Sequence, residues 1–186
     1  MTDEQLASLV LNDRELFGEL MQRYEAALLR YVRRMGVASE DDRIDILQNS
    51  FIKAYRNILS FDTSLSFSAW IYRIAHNEAI SYFRAKQVRP EGHLVANGEE
   101  IIALLHEESA ITREVDNSID RKRLDEALSQ LDQKYRDILI LRYFEDQNYR
   151  EISDILKIPE GTVAVQINRG KKQLKTLLEK TSHLYE

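Results

Sequence analysis

Apolar residues recur along this chain at steps of three and four, the spacing that lines one face of an α-helix, and no segment alternates with the period of two expected of a strand. The clearest run is Phe17, Leu20, Met21, Tyr24, Leu28, Tyr31 and Met35. It predicts a helix that starts at Asn12 or Asp13 and ends at Gly36, a residue that tolerates the left-handed backbone of a helix terminus. A short helix with Leu6, Leu9 and Val10 precedes it, opened by Thr2 and Gln5 as a capping box. Ser39 caps the next helix, with Glu40, Asp41 and Asp42 in its first turn, and Ile44, Leu47, Phe51, Tyr55 and Ile58 form its stripe. A polar turn from Phe61 to Phe67 leads into a further helix over about Ser66 to Gln87.

Periodicity weakens from Val88 to Asp120, where Pro90, Gly92, Asn97 and Gly98 interrupt structure. Eight acids (Glu91, Glu99, Glu100, Glu107, Glu108, Glu114, Asp116, Asp120) face two bases, Arg89 and Arg113. This reads as an acidic flexible linker with a helical turn around Ile101 to Leu105. Helical spacing then resumes in Leu124, Ala127, Leu128 and Leu131, and again in Tyr135, Ile138, Leu139 and Tyr143. The expected fold is all-α: two small helical domains, 1–89 and 121–186, joined by a linker over 90–120.

The second domain ends in a distinctive pattern. Asn148 caps a short helix carrying Ile152, Ile155 and Leu156, the run from Lys157 to Gly161 turns the chain, and a last helix extends from about Pro159 to Lys180. A short helix, a tight turn and a longer helix are the parts of a helix-turn-helix, whose second helix enters the DNA major groove. Val163, Ile167 and Leu174 are spaced to pack inward, which leaves Thr162, Ala164, Val165, Gln166, Asn168 and Arg169 on the open side. Arg169, Lys171, Lys172, Lys175 and Lys180 outnumber Glu160 and Glu179, so the helix is locally basic. An ordinary amphipathic hairpin with a solvated basic face fits the same spacing.

Whole-chain charge changes that picture. With 26 Lys and Arg against 31 Asp and Glu, the net charge is -5. Affinity for duplex DNA rests largely on cations that neutralise phosphates, so this chain is expected to bind DNA poorly unless a partner supplies most phosphate contacts. There is no Cys, hence no disulfide framework or thiolate metal site. His76, His93, His106 and His183 are scattered, and no phosphate-binding loop is present, so neither an enzyme nor a metal or cofactor is expected. No apolar run approaches the ~20 residues of a membrane helix and no secretory signal is evident, which makes the cytoplasm the expected location.

The segment Leu131 to Glu145 followed by Tyr149 to Val163 resembles the C-terminal promoter-reading domain of bacterial RNA polymerase sigma factors, most of all the extracytoplasmic-function (ECF) group. Two N-terminal stretches match independently. Asp45 to Tyr55 resembles the family's polymerase-binding helix, and Phe67 to Asn77, continuing to Arg84, resembles its promoter-melting helix. The matched segments, in family order, extend over about two-thirds of the chain.

The resemblance implies partners and site residues. Core RNA polymerase, through its largest catalytic subunits, would be met by Asp45, Gln48 and Phe51. The minus-ten element would be met by Phe61, Phe67, Tyr72, Arg73, Asn77, Ser81 and Arg84, with Asn77 bonding a flipped non-template base and the Phe61 to Phe67 turn completing its pocket. Aromatic faces beside cations suit that task, because unpaired bases need a stacking surface and their backbone needs positive charge. The minus-thirty-five element would be read by Thr162, Val165, Gln166, Asn168, Arg169, Lys171 and Lys172. The resemblance also implies an anti-sigma partner, and a linker that threads the polymerase cleft toward the RNA exit path.

Two segments depart from the family pattern. Ala164, Val165 and Gln166 stand where a cation, a small polar residue and an Arg are usual, and Ser81 stands where Asp is frequent. Losing two cations weakens phosphate and guanine contacts, while Val165 suits a thymine methyl and Gln166 an adenine edge. The rival reading is a stand-alone helix-turn-helix regulator, which predicts stable duplex binding without polymerase.

Overall fold

The computed structural model describes residues 1–10, 12–86, 127–128 and 130–182, with side chains to 180. The expected linker over 90–120, its helical turn at Ile101 to Leu105, and Leu124 lie outside the described residues. The elements are α1 (Asp3–Leu9), α2 (Phe17–Arg34), α3 (Glu40–Asn57), α4 (Phe67–Lys86), α5 (Gln133–Tyr143), α6 (Tyr149–Leu156) and α7 (Glu160–Ser182). Single 3-10 turns at Arg14–Leu16 and Ile58–Ser60 complete the first group. Every regular element among the described residues is helical.

The helix starts follow the capping chemistry. Thr2 accepts from Gln5 N while the Gln5 side chain accepts from Thr2 N, a reciprocal capping box, and Asn148 and Glu151 repeat it at α6. The Ser39 hydroxyl accepts from Asp42 N at the start of α3. Asp13 caps the 3-10 turn rather than α2 itself, so α2 begins at Phe17, later than its apolar pattern suggests. Gly36 follows α2 with φ of 106°, a backbone conformation that favours glycine.

In the first group α2, α3 and α4 pack side by side, and α1 lies on α2 and α4. Leu20, Leu28, Tyr31, Leu47, Phe51, Ala54, Phe67, Ile71 and Ala75 are buried there. In the second group α5 and α6 pack on α7 through Ile138, Leu139, Ile152, Ile155, Val163, Ile167 and Leu174. Gly170 lies where α7 meets α5: a Cβ there would stand 3.2 Å from Tyr135 Cβ and 3.4 Å from Leu139. Lys157 ends α6 in the left-handed conformation and begins the tight turn to α7.

The two groups share one apolar core, because α4 packs against α6 as closely as it does against α3. The sequence pattern predicts two domains but contains nothing that predicts this contact.

At the centre of the first group the Tyr31 hydroxyl lies 2.9 Å from His76 Nδ1. Burial lowers the His76 pKa from 6.5 to about 4. A depressed value means that folding holds the ring neutral: its contribution is complete above pH 6.5 and is lost as pH falls toward 4. His76→Gln keeps a partner for Tyr31 and does not titrate, so its melting temperature relative to the unsubstituted chain should rise as pH is lowered from 7 to 5. A difference that stays constant across that range would contradict the assignment. Gly170→Val should lower stability by about 1–3 kcal/mol, as overpacking does, read by denaturant unfolding at neutral pH.

Candidate nucleic-acid interface

A cavity of about 300 Å³ opens between α3 and α4, lined by Lys53, Asn57, Ser60, Trp70, Arg73, Ile74, Asn77 and Glu78. The spacing of Trp70, Arg73, Ile74 and Asn77 places them on one side of α4, one turn apart. Beneath them the Phe61, Phe67 and Trp70 rings pack at centroid separations of 5.1 to 5.5 Å, and Tyr24 meets Phe67 edge-on at 5.5 Å. The aromatic cluster makes a rigid floor, because Phe61 and Phe67 are buried while Trp70 is half-buried. The N-terminus of α4 is held from outside by Glu4, whose Oε1 accepts from Phe67 N at 3.0 Å. Lys53 and Glu78 pair across the cavity rim.

This combination of a Trp wall, two side-chain amides, an Arg and a Lys–Glu pair is suited to a flat, polar-edged group attached to an anion. An unpaired base on its backbone has that description. Among the expected minus-ten residues, Arg73 and Asn77 are at the cavity, Phe61 and Phe67 lie beneath it, and Ser81 and Arg84 are exposed further along α4. Tyr72 points the other way. It is 4% exposed and donates to Glu145 of the second group at 2.7 Å. Lys53, Asn57 and Ser60 were not anticipated from sequence, because they come from α3 and the turn after it and meet α4 only in the fold.

The outer face of α3 has a different chemistry. Phe51 is in the core, whereas Asp45 and Gln48 are exposed beside Ile44, Ile52, Tyr55 and Leu59. Ile52 is 47% and Leu59 73% exposed, and the set recurs at helical spacing from Ile44 onward. The predicted stripe on α3 therefore merges two faces: Leu47, Phe51 and Ile58 face the core, and Ile44 and Tyr55 face outward. An exposed apolar row flanked by polar residues is the usual form of a protein-docking surface.

On α7, Val163, Ile167 and Leu174 are buried, and Val165, Asn168, Arg169 and Lys172 are exposed. Thr162, Gln166 and Lys171 are half-buried at the sides of that face, with the Lys171 ammonium 5.8 Å from the Tyr143 ring centroid. Arg169, Lys172 and Lys180 also line a groove of about 590 Å³ against Asp132 and Tyr135 of the second group. No helix among the described residues is long and apolar enough to cross a membrane, and no group of three or more His, Cys, Asp or Glu there is arranged to hold a metal.

Comparison with known proteins assigns both halves. Residues 20–89 match the family model of sigma-70 region 2, and residues 121–174 match that of sigma-70 region 4. The chain is 33% identical to the ECF RNA polymerase sigma factor SigW of Bacillus subtilis, over 96% of this chain and 97% of that one. It is 32% identical to the ECF RNA polymerase sigma-E factor of Escherichia coli K12, over 94% and 93% of the two chains. Its fold is similar to that of CnrH solved in complex with the cytosolic domain of CnrY, with a TM-score of 0.70, 24% identity and coverage of 96% and 97%. With regions 2 and 4 in family order and relatives matched along nearly their whole length, the chain belongs to the ECF group of the sigma-70 family of RNA polymerase sigma factors.

Proposed function

We propose that this sigma factor works as three surfaces on one frame. The outer row of α3, with Asp45, Gln48, Ile44 and Ile52, docks on the largest subunits of core RNA polymerase. The cavity at Trp70, Arg73 and Asn77 receives an unpaired base of the minus-ten element. The open face of α7 reads the minus-thirty-five duplex. The observation that carries the reading is the α3–α4 cavity: a fixed aromatic wall with amides and cations on a protein whose net charge is -5. Such a site has little use for intact duplex, and an acidic chain gains little from DNA alone. Mounted on polymerase, it needs only to select and hold.

The same proposal includes a cytoplasmic location, no catalysis by this chain alone, and an anti-sigma protein as antagonist. Phosphodiester chemistry belongs to the polymerase. Structurally similar proteins have been solved with such regulators, as in the complex of RpoE with the anti-sigma factor NepR from Bartonella quintana. Domain limits of 1–89 for the polymerase and minus-ten functions and 121–186 for the minus-thirty-five function belong to this reading, with Ser81 and Arg84 extending the minus-ten contact along α4. On α7, Val165 would meet a thymine methyl and Gln166 an adenine edge.

Purified chain added to core polymerase should yield promoter-dependent transcripts; tight duplex binding without polymerase, and no transcripts with it, would instead indicate a stand-alone regulator. Ile52→Asp should weaken binding to core polymerase at least about tenfold, the loss typical of truncating an interface anchor, without changing the circular dichroism spectrum. Asn77→Ala should bind core polymerase normally yet open promoters about tenfold less, as loss of one base-edge contact implies; permanganate footprinting reads this directly. Arg169→Ala should lower promoter affinity and reduce its salt dependence by about one phosphate's worth.

A further inference from the structure

Helix α4 borrows the acid at its N-terminus from another helix. The first N–H groups of any helix lack partners within it, and a nearby carboxylate serves them well. The first turn of α4 contains no acid of its own. Ser66 Oγ accepts from Ala69 N at 3.2 Å and donates to Glu151, and Ser68 Oγ accepts from Gln147 Nε2, so both serines are engaged. The Phe67 N–H is served instead by Glu4 of α1, whose Oε1 accepts from it at 3.0 Å across 63 positions of sequence.

Two routes run from α1 to the recess, and both end on Phe67. Glu4 holds its backbone. Asp3 reaches its ring: Oδ2 accepts from the Tyr24 hydroxyl at 2.5 Å, Oδ1 pairs with Arg23 at 2.6 Å, and the Tyr24 ring meets Phe67 edge-on. Burial, followed by the Asp3 hydrogen bond, raises the Tyr24 hydroxyl above its ordinary range, so it remains a donor. Helix α1 is itself fixed, with Leu6, Ala7 and Val10 buried and the Thr2–Gln5 box closing its first turn. Residues 3 and 4 lie outside the 20–89 match to sigma-70 region 2, so this brace is additional to the matched segment.

Phe67 is 1% exposed, and an unpaired N–H in such a place is costly. Without Glu4 the available relief is to fray the first turn of α4. Trp70 stands at the end of that turn, its ring 5.5 Å from Phe67 and 5.1 Å from Phe61. Fraying there displaces the wall of the recess and leaves Arg73 and Asn77, further along the helix, in place.

We infer that Glu4, supported by Asp3, is a positioning residue: it fixes the first turn of α4 and thereby the Trp70 wall against which an unpaired base is held. That Glu4 fixes Trp70 stands on these contacts alone; its effect on promoter opening rests on the minus-ten reading above.

Trp70 is the only Trp in the chain, so its fluorescence reports the wall directly. In the free full-length chain, Glu4→Ala should shift Trp70 emission to longer wavelength and make it easier for acrylamide to quench. Glu4→Gln, which keeps an acceptor for Phe67 N, should stay close to the unsubstituted chain. Tyr24→Phe, which removes only a hydroxyl, should shift the same way to a lesser extent and keeps the test independent of how far alanine unsettles α1. Glu25→Ala, the loss of an exposed carboxylate on α2, is the control for charge and should change nothing. With core polymerase, Glu4→Ala should bind normally yet open promoters about fivefold less, the factor that one hydrogen bond carries, and Glu4→Gln should recover most of that loss. A promoter made abasic at the base the recess receives separates the two claims. Opening by the unsubstituted chain should fall on that template, whereas opening by Glu4→Ala should fall little further, because its recess no longer grips the base. Unchanged Trp70 quenching in Glu4→Ala, or an equal fall on the abasic template in both chains, would overturn the inference. An abasic template that the unsubstituted chain opens as well as the intact one would contradict the minus-ten reading instead, and quenching would still decide whether Glu4 holds the wall.

Discussion

Helix α4 has to meet four neighbours at once, α1, α2, α3 and α6, and the rest of the structure follows from how it does so. Ala69, Ala75 and Ala79 are buried along it, and small residues let α2 and α3 approach closely. Larger side chains at those positions would hold the neighbours away and leave voids that the core could not fill. Close packing on those sides leaves Trp70, Arg73 and Asn77 facing a gap beside α3, which becomes the cavity. The remaining side carries Tyr72 and the two serines toward region 4. One helix thus contributes to the core of region 2, lines its recess and forms one side of the seam with region 4.

Charge divides the labour between chain and partner. A strongly basic protein would adhere to DNA everywhere. Of its cations, Arg73 lies at the cavity, Lys53 pairs with Glu78 at the cavity rim, and Arg169 and Lys172 stand on the open side of α7. Other charged groups are committed internally. Asp42 accepts from Lys86 and Tyr82 across α3 and α4, and the Lys86 ammonium, followed by the Tyr82 hydroxyl, holds its carboxyl below the usual range. Glu145 is pushed the other way by burial, against the opposing pull of Tyr72 and Arg34. A carboxylate so enclosed is costly to leave unpaired, so loss of Arg34 or Tyr72 would destabilise the seam.

Much of the fold was legible in the chain because its signals are local. The capping box at Thr2, the caps at Asn148 and Ser39 and the inward residues of α7 stand where periodicity and capping chemistry put them. Faces were harder to read. On α3 the apolar residues outnumber what one buried stripe can hold, and only packing decides that Phe51 turns inward while Ile44, Ile52 and Leu59 stay outside. At the site, Asn77 and Arg73 carry a family pattern, but Lys53, Asn57 and Ser60 reach the cavity through tertiary contact alone. The seam was invisible for the same reason. Glu145, Gln147, Ser66 and Ser68 are ordinary polar residues until distant segments bring them together.

The central claim is that the α4 recess holds a single unpaired base, and does so only when polymerase presents the DNA. A photoreactive amino acid in place of Ile74, within the recess lining, tests this most directly when irradiated in the presence of promoter DNA with and without core polymerase. The account predicts a cross-link to one non-template base of the minus-ten element, formed with core polymerase and absent without it. Cross-linking to intact duplex in the absence of polymerase, or none to DNA in an open complex, would contradict it.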